Sequence, residues 1–410
     1  MKTEQITVLD LGNTCVRCLS AGEDGQGGLQ VLAQTAVDCR GLKRGVVADL
    51  EETSRAVDAA CRGLEQKTGT QTGPLVVAVG GQHVEGQNAQ GFVPIYPRSR
   101  LVTREDVLQV VNHSRQLMIP PDREQIQALP REFRIDGQRG IQRPIGMNGS
   151  KLEVITYIVT GQSTHIQNLE RALSMVGRKV DQMVLKPLAA GIGALTTEQM
   201  ELGAAVVDIG GGATDVGVFV GGSIAYSGSV PIGGELVTSD LSKLLKTTPE
   251  EAERLKVYHA SAVGSSVGDK ETVDVMQLGQ THARPMQRRV LCEIVESRMR
   301  ELAGMVRRHI EKSGYFGVLP AGVILTGGGS LLPGADKLFE DVLQHLRVAV
   351  VAPQMKGLQG STRERQGMAV SLGLARFAFE CAENELAPAS GITSWKDRVR
   401  TFWSLVGGRA

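Results

Sequence analysis

The sequence predicts an α/β fold of two similar lobes, with an inserted α+β unit and a C-terminal amphipathic helix. Three observations predict it. An apolar strand ending in Asp, one apolar residue and Gly occurs twice, as Val8-Leu9-Asp10-Leu11-Gly12 and Val206-Val207-Asp208-Ile209-Gly210. Each copy is followed by a Gly/Thr/Asn-rich turn and a returning strand. A stretch of different texture separates the copies, and both tryptophans of the chain lie near its end, at Trp395 and Trp403.

Length and composition set the frame. The 410 residues suffice for two or three domains with cores of their own, which excludes a disulfide-stapled mini-protein. Hydrophobic residues make up 41% and charged ones 22%, as in ordinary globular chains. No apolar stretch approaches the roughly 18 residues of a membrane-spanning helix. Net charge is +1, so the total does not point to nucleic acid as a partner. Met1 to Asp10 has no apolar secretory segment, and an intracellular protein is expected. The six cysteines have no framework spacing and are read as free thiols; Cys15 and Cys18 have CxxC spacing but no second pair follows.

The elements follow in order. Strands are expected over Ile6 to Leu11, Val16 to Ser20 and Leu29 to Cys39, then a helix from about Leu50 to Thr68. After Gly73-Pro74, Leu75 to Val79 reads as a buried strand. From Gln82 to Gly161 the signals are short strands, a helix capped at Thr103 with Asp106 three residues on, a Pro120-Pro121 break and the alternating run Leu152 to Val159. The α/β rhythm then returns with helices at Ile166 to Val176 and Pro187 to Thr196 and strands at Ala204 to Ile209 and Val216 to Val220. A third glycine cluster, Val323-Ile324-Leu325-Thr326-Gly327-Gly328-Gly329-Ser330, ends another strand and leads to a helix from about Pro333 to Leu346.

These turns suit one kind of chemistry. A tight hairpin with few side chains lets backbone N–H groups point at phosphate oxygens. An Asp beside it would repel phosphate unless a bridging Mg²⁺, retaining several waters, intervened. Asp10, Asp208 and Asp215 therefore suggest a metal–triphosphate complex clamped between the hairpins. The third cluster would bring backbone against a base or ribose.

With these motifs in place, the chain resembles the superfamily of actin, sugar kinases and the 70-kDa heat-shock ATPases. The phosphate-1 motif corresponds to Leu9 to Arg17, phosphate-2 to Val207 to Phe219 and the adenosine motif to Val323 to Pro333. Within that superfamily it resembles the FtsA family of bacterial cell division proteins over essentially its full length. The distinguishing match is Leu129-Pro130-Arg131-Glu132-Phe133, the Asp136-Gly137 turn, Pro144-Ile145-Gly146-Met147 and Leu152-Glu153, which look like that family's inserted subdomain 1C. Gly233-Gly234, a helix start at Val237-Thr238-Ser239-Asp240, and Ala252-Glu253-Arg254-Leu255-Lys256 also match.

The resemblance implies a two-lobed actin-like ATPase fold. Subdomain 1A would comprise 1–84 with 164–203 and 369–380, and 1C would comprise 85–163. Subdomain 2A would take 204–234 with 310–368, and 2B 235–309. A flexible linker over 381–391 and a membrane-targeting amphipathic helix over 392–410 would complete the chain. It further implies ATP and Mg²⁺ as cofactors. The nucleotide would be bound by Asp10, Gly12, Asn13, Thr14, Gly210, Gly211, Gly212, Thr214, Gly234, Glu253, Lys256, Gly327, Gly328 and Gly329. Asp10, Asp208 and Asp215 would hold the metal through water. Glu253 would reach the ribose hydroxyls and Lys256 the adenine, although an exposed i,i+3 pair is the better explanation of either residue alone.

Three positions depart from the family pattern, and no catalytic residue is assigned. Cys15 stands where the first turn usually carries Lys, with Arg17 nearby. Ala213 replaces a usual Thr, and Thr214, one residue along, would point to the opposite side. Lys186 sits where several relatives have a Glu that positions the attacking water; charged, it cannot act as a base. Nucleotide binding with slow or negligible turnover is expected.

The tail carries its own signal. Residues Phe379 to Gly391 read as an acidic tether. Beyond it, Ile392, Trp395, Val399, Phe402, Trp403 and Val406 fall within a helical arc of roughly 100°, the width of a single apolar stripe. Lys396, Arg398, Arg400 and Arg409 flank that stripe, with only Asp397 opposing them. A terminal helix docked on the core would also explain the stripe. The tether and the local charge favour a helix lying on an anionic membrane, as in the resembled family.

The resemblance accordingly implies a peripheral protein on the cytoplasmic face of the bacterial cell membrane at the division site. It would form filaments with itself, bind the C-terminal tail of the tubulin-like FtsZ through subdomain 2B, and engage other division proteins through 1C. The helix expected from about Met286 to Lys312 offers Arg and Glu for an acidic peptide, and a solvated amphipathic helix explains the same residues equally well. Two rivals share the superfamily: a pilus-assembly ATPase like PilM, and a small-molecule kinase, which would need a carboxylate base where Lys186 stands.

Overall fold

The computed structural model describes residues 5–116 and 119–386. The first lobe opens with Ile6–Leu11 (β1), whose residues from Thr7 on are all buried, as a strand covered on both faces requires. Cys15–Glu23 (β2) and Leu29–Asp38 (β3) return antiparallel. Leu50–Thr68 (α1) starts where the Asp49 side chain accepts from the Glu52 N–H and stops at Gly69, in the left-handed region at φ 68°. Leu75–Val79 (β4) then runs parallel to β1.

The inserted unit follows as Val84–Pro94 (β5), Arg104–Arg115 (α2), Arg123–Ile135 (β6), Gln138–Ile141 (β7) and Lys151–Gln162 (β8). The four strands form one sheet in the order β7-β6-β8-β5, with α2 on one face around Val107, Val110, Phe133 and Ile158. Its β6–β7 turn is Asp136-Gly137, both at positive φ, which a tight hairpin demands. The α2 start is a full capping box between Thr103 and Asp106.

Ser163–Ser174 (α3), Val180–Leu185 (β9) and Lys186–Ala194 (α4) complete the first lobe. The second lobe repeats the plan with Ala204–Ile209 (β10), Thr214–Val220 (β11), Ser223–Val230 (β12), Gly234–Leu245 (α5), Pro249–His259 (α6), Arg288–Lys312 (α7), Val323–Thr326 (β13), Ala335–Leu343 (α8) and Val348–Val350 (β14). Ala369–Leu386 (α9) packs back on the first lobe.

Among the described residues the two large sheets share one topology: β9-β4-β1-β2-β3 in the first lobe and β14-β13-β10-β11-β12 in the second. In each, an antiparallel meander continues into two parallel strands. The internal echo read in the sequence is thus a repeat of topology. The lobes meet at α4 and α9, whose backbones approach so closely that a methyl group at Gly193 would strike the Ala369 carbonyl and one at Gly373 the Ala189 carbonyl.

Several boundaries differ from expectation. The helix expected to start at Val237 starts at Gly234, because the Gly234 and Glu235 N–H groups bond to the Gly210 and Gly211 carbonyls. The helix expected from Met286 starts at Arg288, since Arg284–Gln287 pairs with Thr272–Val275 as a hairpin. The helix expected over Pro333 to Leu346 is confined to Ala335–Leu343: Gly334 before it and Gln344 and His345 after it have positive φ.

The acidic stretch read as a tether from Phe379 is helical through Leu386. Residues 387–410, with the expected membrane-binding positions Ile392, Trp395, Lys396, Val399, Arg400, Phe402, Trp403 and Val406, lie outside the described residues. No helix among the described residues is long and apolar enough to cross a membrane.

Candidate functional site

Two hairpin turns face each other between the lobes. In the first, the Gly12 N–H donates to the Cys15 carbonyl at 3.0 Å; in the second, Gly210 N–H donates to the Ala213 carbonyl at 3.0 Å. Cys15 and Ala213, two of the positions that depart from the family pattern, close these turns through backbone carbonyls, a task that places no demand on the side chain. A methyl group at Gly211 would lie 2.5 Å from Thr14 Cγ2, and one at Gly212 would collide with the Asn13 amide. Only glycine lets the second turn come this close to the first.

The third glycine turn closes on the second hairpin. Gly327 has φ 80°, and any side chain there would strike Asp208 Oδ1 and the Ile209 carbonyl. Gly329 lies against Ile209, whereas Gly328 faces open space. At the start of α5, the Lys256 ammonium donates to the Gly234 carbonyl at 3.1 Å, Thr238 Oγ1 at 2.9 Å and Glu253 Oε2 at 2.6 Å. Glu253 and Lys256 are therefore an i,i+3 pair that is also tied to the helix start beside the second hairpin.

The Asn13 amide donates to the Leu42 carbonyl at 3.3 Å and accepts from Gly45 N–H at 3.1 Å. Thr214 Oγ1 is fully buried and donates to the Ile232 carbonyl at 2.7 Å. Both residues are expected among those that bind the nucleotide; their side chains are committed to holding neighbouring backbone.

Charge gathers beneath the turns. Asp10, Asp208 and Asp215 are 2%, 7% and 5% exposed. Asp208 and Asp215 stand opposite each other in the β10–β11 register, and Asp10 stands opposite Arg17 in β1–β2. Lys186, the first residue of α4, places its ammonium 3.2 Å from Asp10 Oδ1, and Arg17 Nη1 lies 3.8 Å from Asp10 Oδ2. Arg17 thus aims at the site, on the same face of β2 as Cys15, two residues away. A methyl group at Gly80 would lie 2.8 Å from Lys186 Cβ and 3.3 Å from Asp215 Oδ2, so Lys186 and Asp215 flank one point.

Burial opposes the Lys186 charge, but Asp10, Asp208 and Asp215 outweigh it and hold the ammonium above the usual lysine range. Burial pushes Asp208 up to about 6 against the pull of Lys186. Asp215 is raised for the same reason.

The expected metal competes here with a resident cation. Among the described residues no three acidic, His or Cys side chains are placed to ligate one metal ion directly, a condition that a metal held through water does not need. A lysine ammonium is already paired to one of the three carboxyl groups proposed to hold it.

Sequence reasoning missed Gln366, which is 1% exposed. Its carbonyl accepts from Gly327 N–H at 3.2 Å, and its amide donates to Ser330 Oγ at 2.8 Å and the Val351 carbonyl at 3.0 Å. It fixes the third turn from a short helix distant in sequence, so no local signal marks it. The CxxC pair separates: three residues apart on a strand, Cys15 and Cys18 face opposite sides, and Cys18 meets Cys61 instead.

Comparison with known proteins accords with this geometry. The family model for "Cell division protein FtsA" matches residues 205–373, and that for the "SHS2 domain inserted in FTSA" matches residues 81–160. The chain is 34% identical to the cell division protein FtsA of Pseudomonas aeruginosa over 361 residues, covering 88% of this chain and 86% of the relative. With FtsA of Escherichia coli it shares 32% identity over 407 residues, covering 96% of each.

The chain belongs to the FtsA family of cell division proteins.

Solved structures place this FtsA family member in the actin-like ATPase fold. A PilM–PilN type IV pilus biogenesis complex matches with a TM-score of 0.64 at 18% identity, over 90% of this chain and 97% of that one. MreB5 of Spiroplasma citri bound to ADP matches with a TM-score of 0.57 at 14% identity, over 94% and 100%. At such identities the likeness concerns the fold alone. This FtsA family member carries its inserted α+β unit between β4 and α3.

Proposed function

We propose that this FtsA family member binds ATP between its opposed hairpins and acts as a membrane-attached adaptor of the division machinery. The observation that carries the reading is the mutual approach of the two turns, with Gly211 and Gly212 against Thr14 and Asn13. Two glycine-rich turns opposed in this way offer backbone N–H groups that suit phosphates, which would draw the two lobes onto one ligand. The four-subdomain partition belongs to the same reading. The nucleotide holds the lobes in the conformation that forms filaments, and turnover is slow because Lys186 occupies the place of a water-positioning carboxylate.

The C-terminal segment over 392–410 binds the anionic inner face of the cytoplasmic membrane, and a filament multiplies the weak affinity of each copy. Subdomain 2B receives the FtsZ tail, and the inserted unit engages later division proteins. The test is recruitment of labelled FtsZ to a supported anionic bilayer. FtsZ is expected on the bilayer only when the full chain and ATP are both present. Equal FtsZ signal without the chain, or none with it, would refute the adaptor role.

A further inference from the structure

We infer that Lys186 takes the place of a divalent cation in the cleft, so that this chain holds nucleotide phosphates without a metal ion. The inference rests on the nucleotide reading above and concerns how the same site meets its ligand.

A triphosphate brought to the two turns meets Asp10, Asp208 and Asp215, all at least nine-tenths buried. One oxygen of Asp215 has no hydrogen-bond partner within the protein, and Asp10 Oδ1 meets only the Lys186 ammonium. Such a cluster needs a cation before it can sit beside phosphate. Divalent magnesium fills this need only where oxygen donors leave room for a near-octahedral shell.

Here the ammonium of Lys186 already lies 3.2 Å from Asp10 Oδ1 and is 16% exposed at its side chain. Its stem lies beside Asp215, as the shared approach to Gly80 shows. An ammonium has three N–H donors, so it can keep Asp10 and still donate to a phosphate oxygen. Arg17, on the far side of Asp10, supplies a second cation at the first turn, where Cys15 supplies none.

Lys186 is a binding residue in this account. Because its backbone starts α4 directly after β9 and its ammonium is paired to Asp10, the charge is positioned before any ligand arrives.

The test is equilibrium binding of ATP to the full chain by titration calorimetry, in excess EDTA and in excess Mg²⁺. The wild-type dissociation constants are expected to agree within about threefold. Lys186→Gln is expected to weaken binding at least tenfold in EDTA and to regain much of it with Mg²⁺, since the vacated carboxyl cluster then accepts the dication. Lys186→Arg keeps metal-free binding.

A wild-type affinity that falls more than tenfold in EDTA overturns the inference, and this arm needs no variant to fold. Lys186→Gln binding as tightly as wild type in EDTA overturns it as well. If ATP binds in neither buffer, the nucleotide reading itself fails and takes the inference with it.

Discussion

The Lys186 ammonium and Asp10 Oδ1 lie 3.2 Å apart, one at the first residue of α4 and the other near the end of β1. Asp10 is held on its other side by Arg17, so one carboxyl group of the first lobe is bracketed by two cations. The matching carboxyl group of the second lobe, Asp208, faces a second acid, Asp215, in the same register position. The repeat of topology therefore carries opposite charge at equivalent sites.

Asp10→Asn removes a carboxylate from a buried ammonium while keeping its shape. Breaking such a pair from one side costs about 3 kcal/mol. Urea denaturation of the nucleotide-free protein is expected to show a loss of that order. An unchanged midpoint would mean that Lys186 does not depend on Asp10.

Gly212→Ala places a methyl group against the Asn13 amide, which is fixed by Leu42 and Gly45 and cannot swing aside. The hairpins are forced apart. ATP affinity should drop at least tenfold while circular dichroism stays native. Unaltered affinity would remove the opposed turns from the site.

Glu65 supplies the pH-dependent term. The Arg178 guanidinium, donating at 2.6 Å, together with Thr72 holds the Glu65 carboxyl at about 2, below its ordinary 4.5. A carboxyl depressed by folding stabilises above its unfolded value and loses that contribution as pH falls towards its folded one. At neutral pH, Glu65→Gln should therefore cost about 1–3 kcal/mol. The gap between wild type and variant should close between about pH 4.5 and pH 2. A gap independent of pH across this window would assign the loss to packing.

Gly373→Ala tests the seam between α4 and α9. The added methyl meets the Ala189 carbonyl in a backbone contact with no side chain to yield. Overpacking of this kind costs about 1–3 kcal/mol. A melting temperature equal to wild type would show that the seam is looser than its geometry.

Much of this was legible in the sequence because its signals are local. The strand-Asp-x-Gly echo gave β1 and β10, and the Thr103–Asp106 pair gave the start of α2. The Asp136-Gly137 dipeptide gave the hairpin of the inserted unit. Pairings made across the fold were not legible. Nothing near Lys186 announces Asp10, nothing near Gln366 announces Gly327, and Asn13 spends its side chain on a loop some thirty residues on. The early start of α5 is likewise a tertiary effect, since its first N–H groups are satisfied by the carbonyls of the second turn.

The central claim is that nucleotide binding in the cleft and membrane attachment by the C-terminal segment belong to one device. Its most direct test is co-sedimentation with anionic liposomes, with and without ATP, for the full chain, a chain ending at Gly391, and the double variant Trp395→Glu, Trp403→Glu. The full chain alone should sediment, and more with ATP, while all three bind ATP alike. Equal sedimentation of the full and shortened chains, or no response to ATP, would contradict the account.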